Sequence, residues 1–321
     1  MGRRAFIPAV LAMLALGCEE DFQPKGKFQQ ALVVYSVLTP DADSVFVRLH
    51  AAYDPPSFNP FEHTSEPSLT GAVVTLTYDS GTVVLNDSTV AHPDSSRYGS
   101  SMRIFYGTPI SIVRGRPYTL RATVPGYPTA TAATTIPGNP TVSILNAFAL
   151  STPRLFDTQD VIVIVRPPPE AKGFLPRLFV EYEVQTPSPR EERMEVPYDV
   201  ETVDQSASFE YPRLTPIEQF GTPSNTTSAM YAFRGTSYQY VIRSITGTYG
   251  ITNVHFKQVK LYVNLIDEPL YNYYFIVNGF LDPYTIRTDR PDYSNVLGGV
   301  GVFGSFTLDS IGVDLPSFLN N

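Results

Sequence analysis

The sequence contains few of the residues from which disulfides, metal sites and indole-lined sugar sites are built. One cysteine, four histidines and no tryptophan occur among its 321 residues. A single cysteine cannot form an internal disulfide. The histidines are too far apart in the chain to form a zinc-binding motif: they are His50, His63, His92 and His255. We therefore expect no metal ion and no cofactor, and the lack of indole rings disfavours a sugar-binding platform.

Charge is also scarce, and its balance is negative. Only 17% of the residues are charged, and the formal net charge is −8. A chain with this charge does not favour nucleic acid or an anionic membrane surface as a partner. The sequence also has no G-x-S-x-G nucleophile motif. We therefore expect a non-enzymatic protein that does not bind nucleic acid.

A literal G-x-G-x-x-G pattern occurs at residues 299–304. A dinucleotide site requires this pattern to follow a strand and to open a helix. Here the pattern runs into residues 305–308, whose sequence SFTL is typical of a strand. We interpret the glycines as the residues of a strand bend or bulge.

The N-terminus has the pattern of a lipoprotein signal peptide. Arg3 and Arg4 precede thirteen mostly apolar residues, which suit a signal peptide but are too few for a bilayer span of about 20 residues. Gly17 then precedes Cys18, as in a lipobox, although Ala15 stands where leucine is usual. The pattern predicts a signal peptide over residues 1–17, a lipid on Cys18 and a tether over residues 18–29. An ordinary secretory signal with a chance cysteine is the alternative.

Three acidic residues, Glu19, Glu20 and Asp21, follow the cysteine directly. An acidic run near a chain terminus is commonly a solvated tether. The same run resembles the surface-export signal of Bacteroidota lipoproteins, which directs the protein to the outer leaflet. We interpret the three residues as such a signal, and we expect a lipid-anchored protein on the cell surface.

Residues 30–137 predict a mainly β domain. Apolar and polar residues alternate in short segments, for example at 45–49 and 118–124, and turn residues such as those at 79–81 separate them. About seven short strands at this spacing are typical of an immunoglobulin-like or transthyretin-like sandwich. The proline and glycine residues at 137–140 predict the end of this domain.

Residues 141–321 predict a second β-rich domain, either a β-sandwich or a partial barrel, with one short helix near residues 269–280. Leu270, Tyr273, Tyr274 and Val277 recur at helical spacing. Elsewhere the pattern predicts strands over residues 142–150, 161–165, 178–184, 229–233, 238–245 and 254–265.

The segment after this helix carries the candidate partner-binding residues, Tyr284, Arg287 and Arg290. Tyrosine and arginine are enriched at binding hot spots, and irregular segments on a rigid scaffold commonly carry function. We predict a binding site there. The alternative is that the helix closes one end of the sandwich and buries its tyrosines in the core.

Several short motifs, taken in their order, resemble one family. They are CEEDF at 18–22, LVVYSVLTPD at 32–41, YTLRATVPG at 118–126, ATTIP at 133–137 and GGVGVFG at 298–304. The sequence resembles a Bacteroidota family of outer-membrane lipoproteins catalogued as domain of unknown function 4249. Members often sit in operons with TonB-dependent receptors, so the resemblance implies an accessory role in uptake.

These observations lead to one functional expectation and one alternative. We expect a surface-exposed outer-membrane lipoprotein, held to the membrane by its N-terminal lipid. We expect it to be a non-enzymatic accessory or ligand-capture partner of a TonB-dependent transporter. The alternative is a structural or adhesive cell-envelope lipoprotein, because a sandwich on a lipid tether also suits that role.

Overall fold

A computed structural model describes residues 28–54, 69–79, 81–92, 99–145, 159–203, 206–217, 228–278 and 293–315. Strands dominate these ranges, and two α-helices and one short 3-10 helix accompany them. Within these ranges the sheets are not closed into a barrel. The prediction of a mainly β sandwich architecture is therefore confirmed.

The N-terminal part forms two layers around one apolar core. Its strands are β1 (Leu32–Leu38), β2 (Val45–Ala51), β3 (Val73–Tyr78), β4 (Gly81–Val84), β5 (Asn86–Ala91), β6 (Ser101–Gly107), β7 (Pro117–Thr123) and β8 (Ala130–Thr135). One layer has the order β4-β3-β7-β8, and β1, β2, β6 and β5 belong to the other. Alternate residues of each strand point inward, so Val34 and Val47 of one layer share the core with Leu76 and Leu120 of the other.

The later part of the described chain adds further strands and both helices. Its strands are β9 (Thr141–Ile144), β10 (Val161–Arg166), β11 (Ala171–Val184), β12 (Arg190–Val196), β13 (Asp199–Val203), β14 (Ser206–Glu210), β15 (Thr215–Pro216), β16 (Ala229–Phe233), β17 (Val254–Asp267) and β18 (Val300–Asp314). The helices are α1 (Gly235–Tyr249), α2 (Glu268–Asn278) and the 3-10 helix Ile251–Asn253. Neither α-helix is long and apolar enough to cross a bilayer within the described chain.

One long sheet joins the two parts. Its strand order is β12-β11-β17-β18-β1-β2-β6-β5, and β15 pairs with β11 beside this path. Strand β18 runs parallel to β1, with a register from Val33 opposite Val300 to Leu38 opposite Ser305. Phe303 of β18 lies in the core of the N-terminal sandwich. Residues from both sides of the predicted boundary at 137–140 therefore share one sheet.

Gly301 permits the contact between β18 and β1. Its φ of 118° is a conformation that favours glycine, and a Cβ atom at this position would overlap the carbonyl oxygen of Val34. Gly301 and Gly304 of the G-x-G-x-x-G pattern thus lie in strand β18, and Gly299 directly precedes it, so the pattern does not open a helix.

The prediction of a strand over residues 238–245 is wrong, and so is the expectation of a single helix. These residues belong to helix α1. Tyr238, Val241 and Ile245 are buried at spacings of three and four residues, so one face of the helix packs into the second core beside Val180 and Val259. Burial of this face outweighs the strand preference of valine, isoleucine and tyrosine.

Helix α2 confirms the helix predicted near residues 269–280, although residues beyond Asn278 lie outside the described ranges. It lies against β11, β17 and β18. Two glycines in these strands leave room for it. A Cβ atom on Gly304 would lie 2.8 Å from the Cβ of Leu270, and one on Gly173 would lie 2.5 Å from Cδ2 of Tyr271.

Candidate binding surface

The residues that the sequence singles out for lipidation, export and partner binding all lie outside the described ranges. They are Cys18, Glu19, Glu20, Asp21, Tyr284, Arg287 and Arg290. Their proposed roles therefore stay predictions. The segment that holds the last three follows α2 directly, so the surface around α2 is the described surface nearest to them in sequence.

Asp267 fixes the start of α2. Its Oδ1 accepts a hydrogen bond from the backbone N–H of Leu270, at 2.9 Å, which caps the first turn of the helix. Its Oδ2 accepts hydrogen bonds from the hydroxyl of Ser305, at 3.0 Å, and from the hydroxyl of Thr134. One buried carboxyl group therefore ties helix α2 to strands β8 and β18.

Burial controls the titration of this carboxyl. Asp267 is only 2% exposed. Loss of hydration raises the pKa of Asp267 above the usual aspartate value, and the hydrogen bonds from Thr134, Leu270 and Ser305 oppose this shift without cancelling it. A polar crevice of about 400 Å³ lies beside this residue, and its lining includes Lys172, Glu170 and Glu268. Within the described ranges, no group of three or more potential metal ligands occurs.

The tyrosines of α2 have different environments. Tyr271 is 7% exposed and belongs to a small apolar cluster with Ile266 and Leu270. Tyr274 is 44% exposed. The ring of Tyr273 lies edge-on to that of Tyr35 on β1, with centroids 6.1 Å apart. The alternative that these tyrosines all fill the core therefore holds for Tyr271 but not for Tyr274.

An open apolar groove of about 550 Å³ lies beside α2, on the outer face of the long sheet. Strands β1, β11, β17 and β18, the segment before β15 and α2 itself all contribute to it. Among the described residues, none that lines the groove is charged, and Asn264 and Tyr274 supply its polar side-chain groups. The described lining residues are Val37, Leu175, Leu214, Asn264, Ile266, Leu270, Tyr274 and Phe306. Exposed Val37 leaves part of the apolar lining open to solvent.

A row of cations and aromatic rings continues along the same sheet. The guanidinium of Arg193 lies 5.0 Å from the ring centre of Phe179 and 5.8 Å from that of Tyr262. The guanidinium of Arg177 is 5.1 Å from the ring centre of Phe179, and the ammonium of Lys260 is 5.3 Å from that of Tyr262. These distances allow cation–π attraction. We call these five residues the cation–aromatic row.

Sequence reasoning missed both the groove and the cation–aromatic row. Alternation shows that Leu175, Arg177 and Phe179 share one face of a strand, but it does not show which strands lie beside it. The pairing of β11 with both β12 and β17 brings these side chains together with Arg193 and Tyr262.

A protein-family model matches most of the chain. The family model described as "Domain of unknown function (DUF4249)" matches residues 19–311. No curated protein matches the chain. The matched range covers nearly all the described strands and both helices.

Proposed function

The chain belongs to the DUF4249 family, and on this premise we propose that it is a lipid-anchored outer-membrane lipoprotein exposed on the cell surface. We propose that it acts as a non-enzymatic accessory or ligand-capture partner of a TonB-dependent transporter. The lipid on Cys18 would hold it to the membrane, and Glu19, Glu20 and Asp21 would direct it to the outer leaflet.

The observation that carries the capture role is the apolar groove beside α2. Ligand sites are commonly concave, mostly apolar and supplied with a few polar groups. The groove has this composition, and it lies on a nine-stranded sheet. The segment with Tyr284, Arg287 and Arg290 follows, in sequence, the helix that forms one wall of the groove.

Co-purification from detergent-solubilised outer membrane tests this proposal. We expect a TonB-dependent receptor to accompany the lipidated wild-type protein. The variants Tyr284→Ala, Arg287→Ala and Arg290→Ala should reduce the receptor yield about tenfold or more, as hot-spot residues do, with nearly unchanged thermal stability. Arg243→Ala, on the exposed face of α1, is the matched control and should keep the receptor. If all variants keep every partner, the structural or adhesive role is favoured instead.

A further inference from the structure

The apolar groove has the properties of a site for an aliphatic chain. Its volume of about 550 Å³ lies within the range of small-molecule sites, and the described residues of its lining carry no charge. Outward positions of a sheet are ordinarily polar when solvent covers them. Here Ile266 and Phe306 form a cross-strand pair on the outer face beside α2, where Ile266 is buried and Phe306 is half-buried. An apolar ligand that fills the groove would remove this surface from water.

One end of the groove adjoins the cation–aromatic row. In the pairing of β11 with β17, Leu175 is opposite Asn264 and Arg177 is opposite Tyr262. These pairs are two residues apart on each strand, which corresponds to roughly 7 Å along the sheet. Phe179 and Lys260 form the next outward pair, so Lys260 lies roughly 13 Å along the sheet from the pair of Leu175 and Asn264.

Two cations of the row, Arg193 and Lys260, form no salt bridge with a described residue, although Glu181 is paired opposite Arg193 in the register of β11 and β12. Arg177 forms a two-point ion pair with Glu195, at 2.9 and 2.5 Å. Arg193 and Lys260, in contrast, have aromatic contacts but no carboxylate within ion-pair distance among the described residues. Arginine and lysine beside aromatic rings can bind a carboxylate or phosphate through charge-assisted hydrogen bonds.

We propose that this surface binds a free anionic long-chain amphiphile, with its aliphatic chain in the groove and its anionic group at Arg193 and Lys260. The proposal names the ligand class for the capture role proposed above and therefore rests on that role. The groove would hold the aliphatic chain of the ligand, because its described lining is apolar and uncharged. The cation–aromatic row would hold the anionic head group, because it lies on the same face of the sheet.

Palmitate binding to the full chain with Cys18→Ala tests the site, because this protein has no acyl group of its own to compete. We expect saturable displacement of a fluorescent fatty acid by palmitate. Val37→Glu places a charge at the edge of the groove and should weaken binding about tenfold or more, since a charge beside an apolar ligand is poorly compensated. Val84→Glu, at an exposed valine of β4, is the matched control and should bind as the parent protein does.

The head group is tested with a second pair of proteins and a neutral ligand. The double variant Arg193→Gln with Lys260→Gln should weaken palmitate binding about tenfold while it leaves the affinity for palmityl alcohol nearly unchanged. Arg243→Gln is the matched control on α1. If Val37→Glu lowers the melting temperature, Tyr274→Ala replaces it, because Tyr274 is an exposed part of the groove wall.

Three outcomes overturn the proposal: no palmitate binding by the parent protein, equal loss of binding in Val37→Glu and Val84→Glu, or attachment only to vesicles of anionic phospholipid. Receptor co-purification by the lipidated Val37→Glu protein tests the transporter role separately from the ligand class. If no palmitate binds but the receptor is retained, the ligand class is wrong and the transporter role stands. If palmitate binds but no receptor is found, the transporter role fails and the ligand site stands.

Discussion

The hydroxyl of Thr134 on β8 donates a hydrogen bond to the carboxyl group of Asp267, 133 residues further along the chain. Asp267 also caps α2 and accepts a hydrogen bond from Ser305. Replacing it with alanine leaves two buried hydroxyls and one helix N–H without this acceptor. We expect Asp267→Ala to lower the free energy of unfolding by about 2 kcal/mol or more, measured by urea denaturation. A change below about 0.5 kcal/mol would contradict the structural role of this cluster.

The same carboxyl predicts a pH dependence of stability. Burial holds the folded-state pKa of Asp267 above the unfolded value, so the folded protein keeps this proton to higher pH. Its contribution to stability is therefore fully present below the unfolded pKa and is lost as the pH rises through the folded pKa. Relative to wild type, Asp267→Asn should become more stable as the pH rises through this window, because asparagine does not ionise. Parallel pH profiles of the two proteins would contradict this prediction.

We expect the addition of one methyl group at Gly301 to destabilise the protein strongly. Gly301→Ala combines an unfavourable φ with an overlap against the backbone of Val34, so we expect it to lower the free energy of unfolding by about 3 kcal/mol. Gly99→Ala is the matched control, because a Cβ atom at Gly99 meets nothing within 4 Å. If thermal denaturation shows an equal loss of stability for both variants, the contact between β18 and β1 tolerates a side chain.

Gly247 lies in helix α1 and Gly250 directly follows it, and alanine has opposite predicted effects at these two positions. Gly247 lies inside the helix with open space around it, so Gly247→Ala should stabilise the protein by about 1 kcal/mol. Gly250 ends the helix with a φ of 84°, so Gly250→Ala should destabilise it by about 1 kcal/mol. Calorimetric melting temperatures compare the two variants directly. Effects of the same sign would contradict the observed end of the helix.

Lipidation predicts two properties of the native protein. We expect Cys18 to be acylated and residues 1–17 to be absent, and we expect Cys18→Ala to yield an uncleaved or soluble form. Mass spectrometry of the membrane fraction checks both expectations. An unmodified Cys18 peptide in that fraction would rule out the lipid anchor.

The proposed surface export predicts that the protein loses its accessibility to external protease when the export signal is removed. Replacement of Glu19, Glu20 and Asp21 by alanine should retain the lipid but remove accessibility to external protease on intact cells. Wild-type protein that is itself shielded from protease in intact cells would contradict the surface location.

The strands could be predicted from the sequence more readily than their partners. Alternation over Val45 to Leu49 depends on neighbouring residues alone, and β2 forms there. The parallel pairing of Val33 with Val300 depends on residues far apart in the chain, and alternation carries no information about such a partner. The groove depends on several such pairings, which explains why no local pattern indicated it.

Helix α1 could have been found from one signal and was obscured by another. The three-and-four spacing of Tyr238, Val241 and Ile245 is helical, and Gly250 supplies a stop. The same segment is rich in β-branched and aromatic residues, which favour a strand. Apolar residues on both faces over this short stretch made the two periods hard to distinguish. The buried face shows that the helical spacing was the informative signal.

The position of β18 determines the order in which the long sheet can form. A chain made from its N-terminus presents β1 long before β18 exists, and β18 is the strand that lies between β1 and β17. Until then, one edge of β1 lacks the neighbour that it has in the finished sheet. Such long-range pairing slows folding, because the loop must close before the contacts form. The first half of the molecule therefore completes its sheet only after nearly the whole described chain has been synthesised.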